Sequence, residues 1–247
     1  MRGRAVVKRR RRLGFRLPAR AALVACTAAA ALLADPTGGG GGSRAEANVG
    51  IFGYLETRRE GLEAFPKWTG ALERYFQEKA QTAGNCAAKE FNRCHYEKWT
   101  GFLDSVKGDP PERQLKKVND FMNKARYILD PINWGVQDYW ATPGQFFDKY
   151  GDCEDYAIAK YLSLIALGWD PKVFRIVVVQ DLNLRIPHAI LAVYQDDGVV
   201  LLDNQIAIVV DAGRIRHYRP IFSLSETGWW RHAPAAAAGG KPRPRRG

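Results

Sequence analysis

Three features of the sequence predict an α+β fold, with helices first and an antiparallel sheet after them. Apolar residues recur at helical spacing as far as Leu167. Beyond Gly168 the pattern changes to β-branched runs separated by turn residues, and Asp196-Asp197-Gly198 has the composition of a hairpin turn.

Taken in order, Val49 to Glu60 reads as an extended lead-in. Phe65 to Gln81 is expected to be helical, with Phe65, Trp68, Leu72, Tyr75 and Phe76 on one side. Asp109-Pro-Pro-Glu112 starts a second clear helix, whose apolar stripe runs from Leu115 through Val118, Met122 and Ala125 to Leu129. Asp130-Pro131 ends it. Thr142-Pro143 is an N-cap and N1 pair for a short helix through Phe147 and Tyr150. Gly151 breaks that helix, and Asp152 caps the next, Cys153 to Leu167, which stops at Gly168. Strands are expected at Val173–Gln180, His188–Tyr194, Val199–Leu202 and Ile206–Val210. No internal repeat is present.

A chain of 247 residues with 46% hydrophobic content has the composition of a globular protein. Its net charge of +11 invites a nucleic-acid reading, which the location of the charge excludes. Residues 1–45 hold ten of the 37 basic residues and one of the 26 acidic ones, so the remainder, 27 against 25, is near neutral. It lacks the basic stripe that phosphate binding needs, and no nucleic-acid partner is expected. The first 45 residues have the order of an export signal with a low-complexity leader. Lys8 to Arg12 is basic, Ala21 to Ala34 is small and apolar, and a glycine run then precedes Ser43-Arg44-Ala45. The apolar run, about 14 residues, is short for a bilayer span of roughly 20. The paired arginines and Leu23-Val24-Ala25-Cys26 leave twin-arginine and lipoprotein routes open. A body over 46–232 and a disordered Ala/Gly/Pro/Arg tail over 233–247 complete the organisation.

Without the signal three cysteines remain. In an oxidising compartment Cys86 and Cys94 are close enough in sequence to pair, which makes Cys153 the odd one. Cys153 sits at the predicted first turn of a helix, where backbone N–H groups and the helix dipole favour a thiolate and offer donors to an oxyanion. Yet Asp152, Glu154 and Asp155 surround it, and anions alone oppose thiolate formation. Either these acids are ordinary N-cap and first-turn residues, or some of them hold a hard cation that neutralises the charge. A cysteine nucleophile requires an imidazole, and the imidazole an orienting group. His188 opens an apolar strand where folding alone gives a polar group no reason to be, and Asp203 closes the partner strand. A strict two-residue Asp197-Gly198 turn would set Asp203 against Ala192, about 13 Å from His188, so a Cys153–His188–Asp203 unit requires a shifted register, a bulge or strong twist.

The string Trp140-Ala-Thr-Pro143, Gly151-Asp-Cys-Glu-Asp-Tyr-Ala157-Ile-Ala-Lys160, His188-Ala189 and Leu202-Asp-Asn204, in this order and spacing, resembles the bacterial transglutaminase-like cysteine proteinases. The resemblance covers roughly Phe65 to Trp230. It implies a papain-like, transglutaminase-like fold and a cysteine endopeptidase, with Cys153 as nucleophile, His188 as general base and acid, and Asp203 as orienter. It further implies calcium held through Asp152 and Glu154, with Asp155 either joining them or remaining a helix-start acid. Periplasmic location, a large cell-surface adhesin cut near its N-terminus, and an inner-membrane receptor that senses cyclic di-GMP follow from the same resemblance. A transglutaminase or amidase would use the same three residues, and a calcium-dependent binding module is the non-catalytic alternative.

Overall fold

Proline at the first or second helical position, helical periodicity and polar caps build the first half of the body; β-branched runs build the second. The computed structural model describes residues 48–81, 85–86 and 92–235. The export signal expected over 1–45 lies outside them, as do residues 236–247 of the tail expected over 233–247, whose first two residues, Ala233 and Pro234, instead pair with Leu55 and Tyr54 at the end of the last strand. The order is β1 (Asn48–Val49), β2 (Tyr54–Arg59), α1 (Pro66–Ala80), α2 (Arg93–Val106), α3 (Pro111–Met122), α4 (Asp130–Asn133), α5 (Pro143–Lys149) and α6 (Cys153–Ala166). There follow β3 (Phe174–Asp181), β4 (Ile186–Gln195), β5 (Gly198–Leu202), β6 (Val210–Asp211), β7 (Tyr218–Leu224) and β8 (Trp229–Pro234). Among the described residues the strands form one antiparallel sheet of eight, in the order β1-β2-β8-β7-β3-β4-β5-β6. The α+β layout of the sequence reading is the one observed.

Helix α6 is the hub. Every residue from Cys153 to Leu164 is buried, because α3 and α5 cover one side and the sheet, through β3 and β4, covers the other. The sheet is apolar on both faces at its centre. Ile176, Leu191, Val193 and Leu202 face the helices with Trp68, Phe146 and Ile158, while Val177, Val179, Ile190 and Leu201 pack with Ile51 and Tyr218 in a second, smaller core. This double burial explains why Ile176 to Val179 is a continuous apolar run and not an alternating one.

Several elements differ from expectation. The stripe expected to carry one helix to Leu129 is helical only to Met122. Beyond it the backbone turns to run beside the start of α6: Tyr127 forms a parallel bridge with Gly151, and Ile128 N–H donates to Gly151 O at 2.9 Å. Of the strand expected over Ile206–Val210 only Val210 pairs, continuing to Asp211. The segment before it is held instead by α3 and its C-cap: Asn119 Nδ2 donates to Ala207 O at 3.3 Å, and the cap residue Asn123, through Nδ2, to Asp203 O at 2.8 Å. The lead-in before Glu60 contains β2, which pairs with β8 near the other end of the chain.

A disulfide joins Cys86 and Cys94, as their spacing predicts. Closing so short a loop stabilises the fold by about 2.5 kcal/mol in the chain-entropy relation. Peptide mapping without reductant is expected to recover the two as one linked pair, and reduction to lower Tm by only a few degrees. Recovery of either cysteine linked to a different partner would contradict this pairing.

Candidate active site

The start of α6 is assembled by a tight turn. Tyr150 adopts a left-handed conformation, φ 66°, with its N–H on Phe146 O at 2.7 Å. Gly151 follows because a Cβ there would meet Asp155 Oδ2 at 2.0 Å. Its absence lets Asp155 reach back and accept the Asp152 N–H at 3.3 Å, while Asp155 Oδ1 accepts the Ala141 N–H at 2.7 Å. Thr142 and Gln145 complete a capping box on α5, with reciprocal bonds of 3.1 and 3.0 Å. Cys153 thus heads a helix whose entry is fixed from both sides, and it packs against Ala189, the neighbour of His188 on β4.

His188 and Asp203 are brought together by the β4–β5 hairpin. Its turn residues are Asp196-Asp197, because Gln195 pairs with Gly198, and the register sets Leu191 opposite Leu202. Continuing that register puts Asp203 level with Ile190, two residues from His188, instead of with Ala192, so the two share a face. His188 Nε2 lies 2.8 Å from Asp203 Oδ1, with both side chains buried. A carboxylate only accepts, so Nε2 carries the proton and Nδ1 presents a lone pair in the neutral ring. The Gln205 N–H donates to Oδ1 at 2.8 Å, and the Tyr218 hydroxyl to Oδ2 at 2.7 Å. Burial alone would raise the Asp203 carboxyl, but His188, the Gln205 amide and Tyr218 together hold it below the usual carboxylate range. Tyr218, on β7, is a partner of Asp203 that the sequence reading missed. Of the remaining histidines, His95 Nδ1 lies 2.9 Å from Asp148 Oδ1. His232, expected in a polar stretch, is buried on β8 with Nε2 3.0 Å from Ser223 Oγ.

Asp152, Glu154 and Asp155 do converge, and the structure adds two carboxylates that no spacing in the sequence suggests. Asp130 at the start of α4 and Asp138 in the loop after it join them. The groups Asp152–Cys153–Glu154, Asp130–Asp138–Glu154 and Asp130–Asp152–Asp155 each place their ligand atoms within 4.8 Å of one another. Glu154 Oε2 is 3.1 Å from Cys153 Sγ. Burial, then mutual repulsion, pushes Glu154 and Asp155 well above the carboxylate range, raises Asp152, and lifts Asp130 to about 7. The buried oxygens Asp130 Oδ1 and Asp152 Oδ1 have no hydrogen-bond partner. A largely buried, over-charged cluster of carboxylates with orphaned acceptors fits a hard cation of calcium's class. It does not fit zinc, because no imidazole and no second thiol enter it. Both oxygens of Asp138 are already engaged, by Lys67 and the Trp140 indole, as both of Asp155 are by the Ala141 and Asp152 N–H groups.

A cysteine at the N-terminus of a buried helix, packed on an antiparallel sheet that carries a paired histidine and aspartate, defines a transglutaminase-like cysteine proteinase. The family profile described as bacterial transglutaminase-like cysteine proteinase, BTLCP, matches residues 84–230, and the chain belongs to this family. Among solved structures it is similar to Legionella pneumophila LapG at 30% identity and TM-score 0.52, over 65% of this chain and 87% of that one. The calcium-bound form of that protein matches with the same values, and its EGTA-treated form matches over 84% of its length. No curated protein sequence matches the chain.

Proposed function

We propose that this endopeptidase works through Cys153, His188 and Asp203, and that it requires calcium. The observation that carries the reading is the 2.8 Å contact of His188 Nε2 with Asp203, on the strand whose Ala189 packs against Cys153 at the start of α6. His188 Nδ1 takes the thiol proton, and the thiolate attacks the scissile carbonyl carbon, forming the C–S bond. The Cys153 backbone N–H, at the head of α6, faces the oxygen on which negative charge develops. His188 then returns the proton to the leaving amine as the C–N bond breaks. Water, deprotonated by His188, releases the acyl group and restores the thiol. Asp203 holds the ring in the required tautomer throughout.

Calcium, when bound by Asp130, Asp152 and Glu154 with Asp155 and Asp138 in reach, supplies positive charge beside a thiolate that these anions otherwise disfavour. That the similar LapG is described in calcium-bound and EGTA-treated forms supports this part of the reading. The leader sequence supports export to the periplasm, and no helix among the described residues is long and apolar enough to cross a membrane. By family resemblance the substrate is a large surface adhesin cut near its N-terminus, with access governed by a cyclic di-GMP receptor of the inner membrane. The test is to incubate the protein, with and without calcium, with an adhesin N-terminal fragment from the same genome. Two fragments whose summed mass exceeds the substrate by one water support hydrolysis. A product carrying an added amine would make the enzyme an acyl transferase, and an intact substrate under both conditions would overturn the substrate assignment.

His188→Ala is expected to lower kcat/KM by on the order of 10³–10⁴, and Asp203→Asn by less, because an amide oxygen still orients the ring. Equal, complete losses in two folded variants would contradict that ranking. Tyr218→Phe removes one donor from Asp203 and is expected to cost only a few-fold, read in the same peptide assay.

A further inference from the structure

Tyr127 is 49% exposed, yet its backbone is fixed beside the head of α6. It forms a parallel bridge with Gly151, two residues before Cys153, and the next residue, Ile128, donates its N–H to Gly151 O at 2.9 Å. Bridged residues send their side chains to the same side of the ladder. At Gly151 that side is the first turn of α6, since a Cβ there would meet Asp155 Oδ2 at 2.0 Å. The Tyr127 ring accordingly lies over this turn, with its centroid 6.3 Å from that of Tyr156 and the two planes 21° apart. Tyr156 is held in its turn by its hydroxyl, which donates to Ala125 O at 2.8 Å. The Tyr127 hydroxyl reaches the head of the helix, where the Cys153 backbone N–H donates to it. Packing on Tyr156 accounts for the ring. It does not account for the hydroxyl, which a phenylalanine would lack without losing that contact, or for an aromatic side chain left half open to solvent beside the nucleophile.

We propose that Tyr127 is a catalytic residue: its hydroxyl is the second donor of the oxyanion hole, beside the Cys153 N–H. The inference rests on the assignment of Cys153, His188 and Asp203 made above. As the thiolate adds to the scissile carbonyl carbon, the C=O electron pair moves onto the oxygen. That oxygen takes the place of the phenol on the Cys153 N–H, and the hydroxyl turns its own hydrogen to it, so the oxygen accepts from both and no proton is transferred. The half-exposed ring has room to yield to it. When the tetrahedral centre collapses, the electron pair returns to the carbonyl, the C–N bond breaks, and the hydroxyl regains the N–H. A phenol suits this place because it is an O–H donor at neutral pH and adds no charge to a helix start that already carries Asp152 and Glu154.

The test compares two reagents on the full chain at constant calcium, with each adduct located on Cys153 by peptide mass. p-Nitrophenyl acetate acylates the sulfur through a carbonyl, and so develops the oxyanion. Iodoacetamide alkylates it by direct displacement of iodide, and develops none. Tyr127→Phe is expected to lower the acylation rate constant by on the order of 10² while leaving alkylation within about twofold and Tm within about two degrees. His188→Ala, by contrast, should slow both reactions, because it acts on the thiolate itself. Acylation of Tyr127→Phe within about threefold of wild type would reduce the residue to packing on Tyr156 and overturn the proposal. An equal slowing of both reagents would also overturn it, by making Tyr127 a group that acts on the thiol. Failure of both reagents to label Cys153 in the wild-type protein would overturn the nucleophile assignment, and the proposal with it.

Discussion

Cys153→Ala is expected to abolish peptide-bond hydrolysis, with a loss on the order of 10⁴ or more in kcat, while the protein remains folded. The expectation follows from position and chemistry together. The side chain is 1% exposed at the first residue of α6, and its near neighbours are Ala189 and the Glu154 carboxylate. Removing one sulfur leaves a small void that costs about 1 kcal/mol, so Tm should fall by only a few degrees. Among the described residues no other cysteine can substitute, because Cys86 and Cys94 are joined to each other. Substantial activity in a verified Cys153→Ala preparation would remove the nucleophile, and with it the reading of His188 and Asp203.

Withdrawal of calcium is expected to have an effect of comparable size, and one that reverses. EGTA should stop turnover, and calcium should restore it better than magnesium, whose tight octahedral shell suits an irregular carboxylate cluster poorly. Asp152→Ala and Glu154→Ala should behave like the chelated enzyme. Asp130→Asn, at a residue far from Cys153 in sequence, should raise the calcium requirement tenfold or more. The cluster also sets a pH dependence. Its acids are raised in the fold, so in EGTA the folded form holds protons that the unfolded form has released above about pH 4. Stability should then fall as pH rises, with the Asp130 share lost through about 7. Calcium offsets this repulsion, so its increment in Tm should be larger at pH 8 than at pH 5. An equal increment at both pH values, or full activity in EGTA with no calorimetric signal for calcium, would reduce the acids to helix capping.

What the sequence made legible was local chemistry. Thr142-Pro143 and Asp152 mark α5 and α6 because caps act within one helical turn. A cysteine at a helix start, and a histidine opening an apolar strand, stand out because folding does not require them there. What it left hidden depends on pairing between distant segments. β2 meets β8 across most of the chain, and neither residue run says so. Asp130 and Asp138 reach the acid cluster because the backbone leaves α3 after Met122 and bridges Gly151 at Tyr127, a contact without a fixed spacing. The hairpin hid its register because Asp196-Asp197-Gly198 supports two turns that differ by one position, and only the turn at Asp196-Asp197 brings Asp203 level with Ile190.

The most direct measurement of the central claim is the intact mass of the reduced protein after exposure to a peptidyl epoxide, a probe that alkylates thiolates activated by an imidazole. One adduct is expected, located on Cys153, formed rapidly with calcium and slowly in EGTA or in His188→Ala. An adduct on another residue, or continued hydrolysis of substrate by protein fully alkylated at Cys153, would contradict the account.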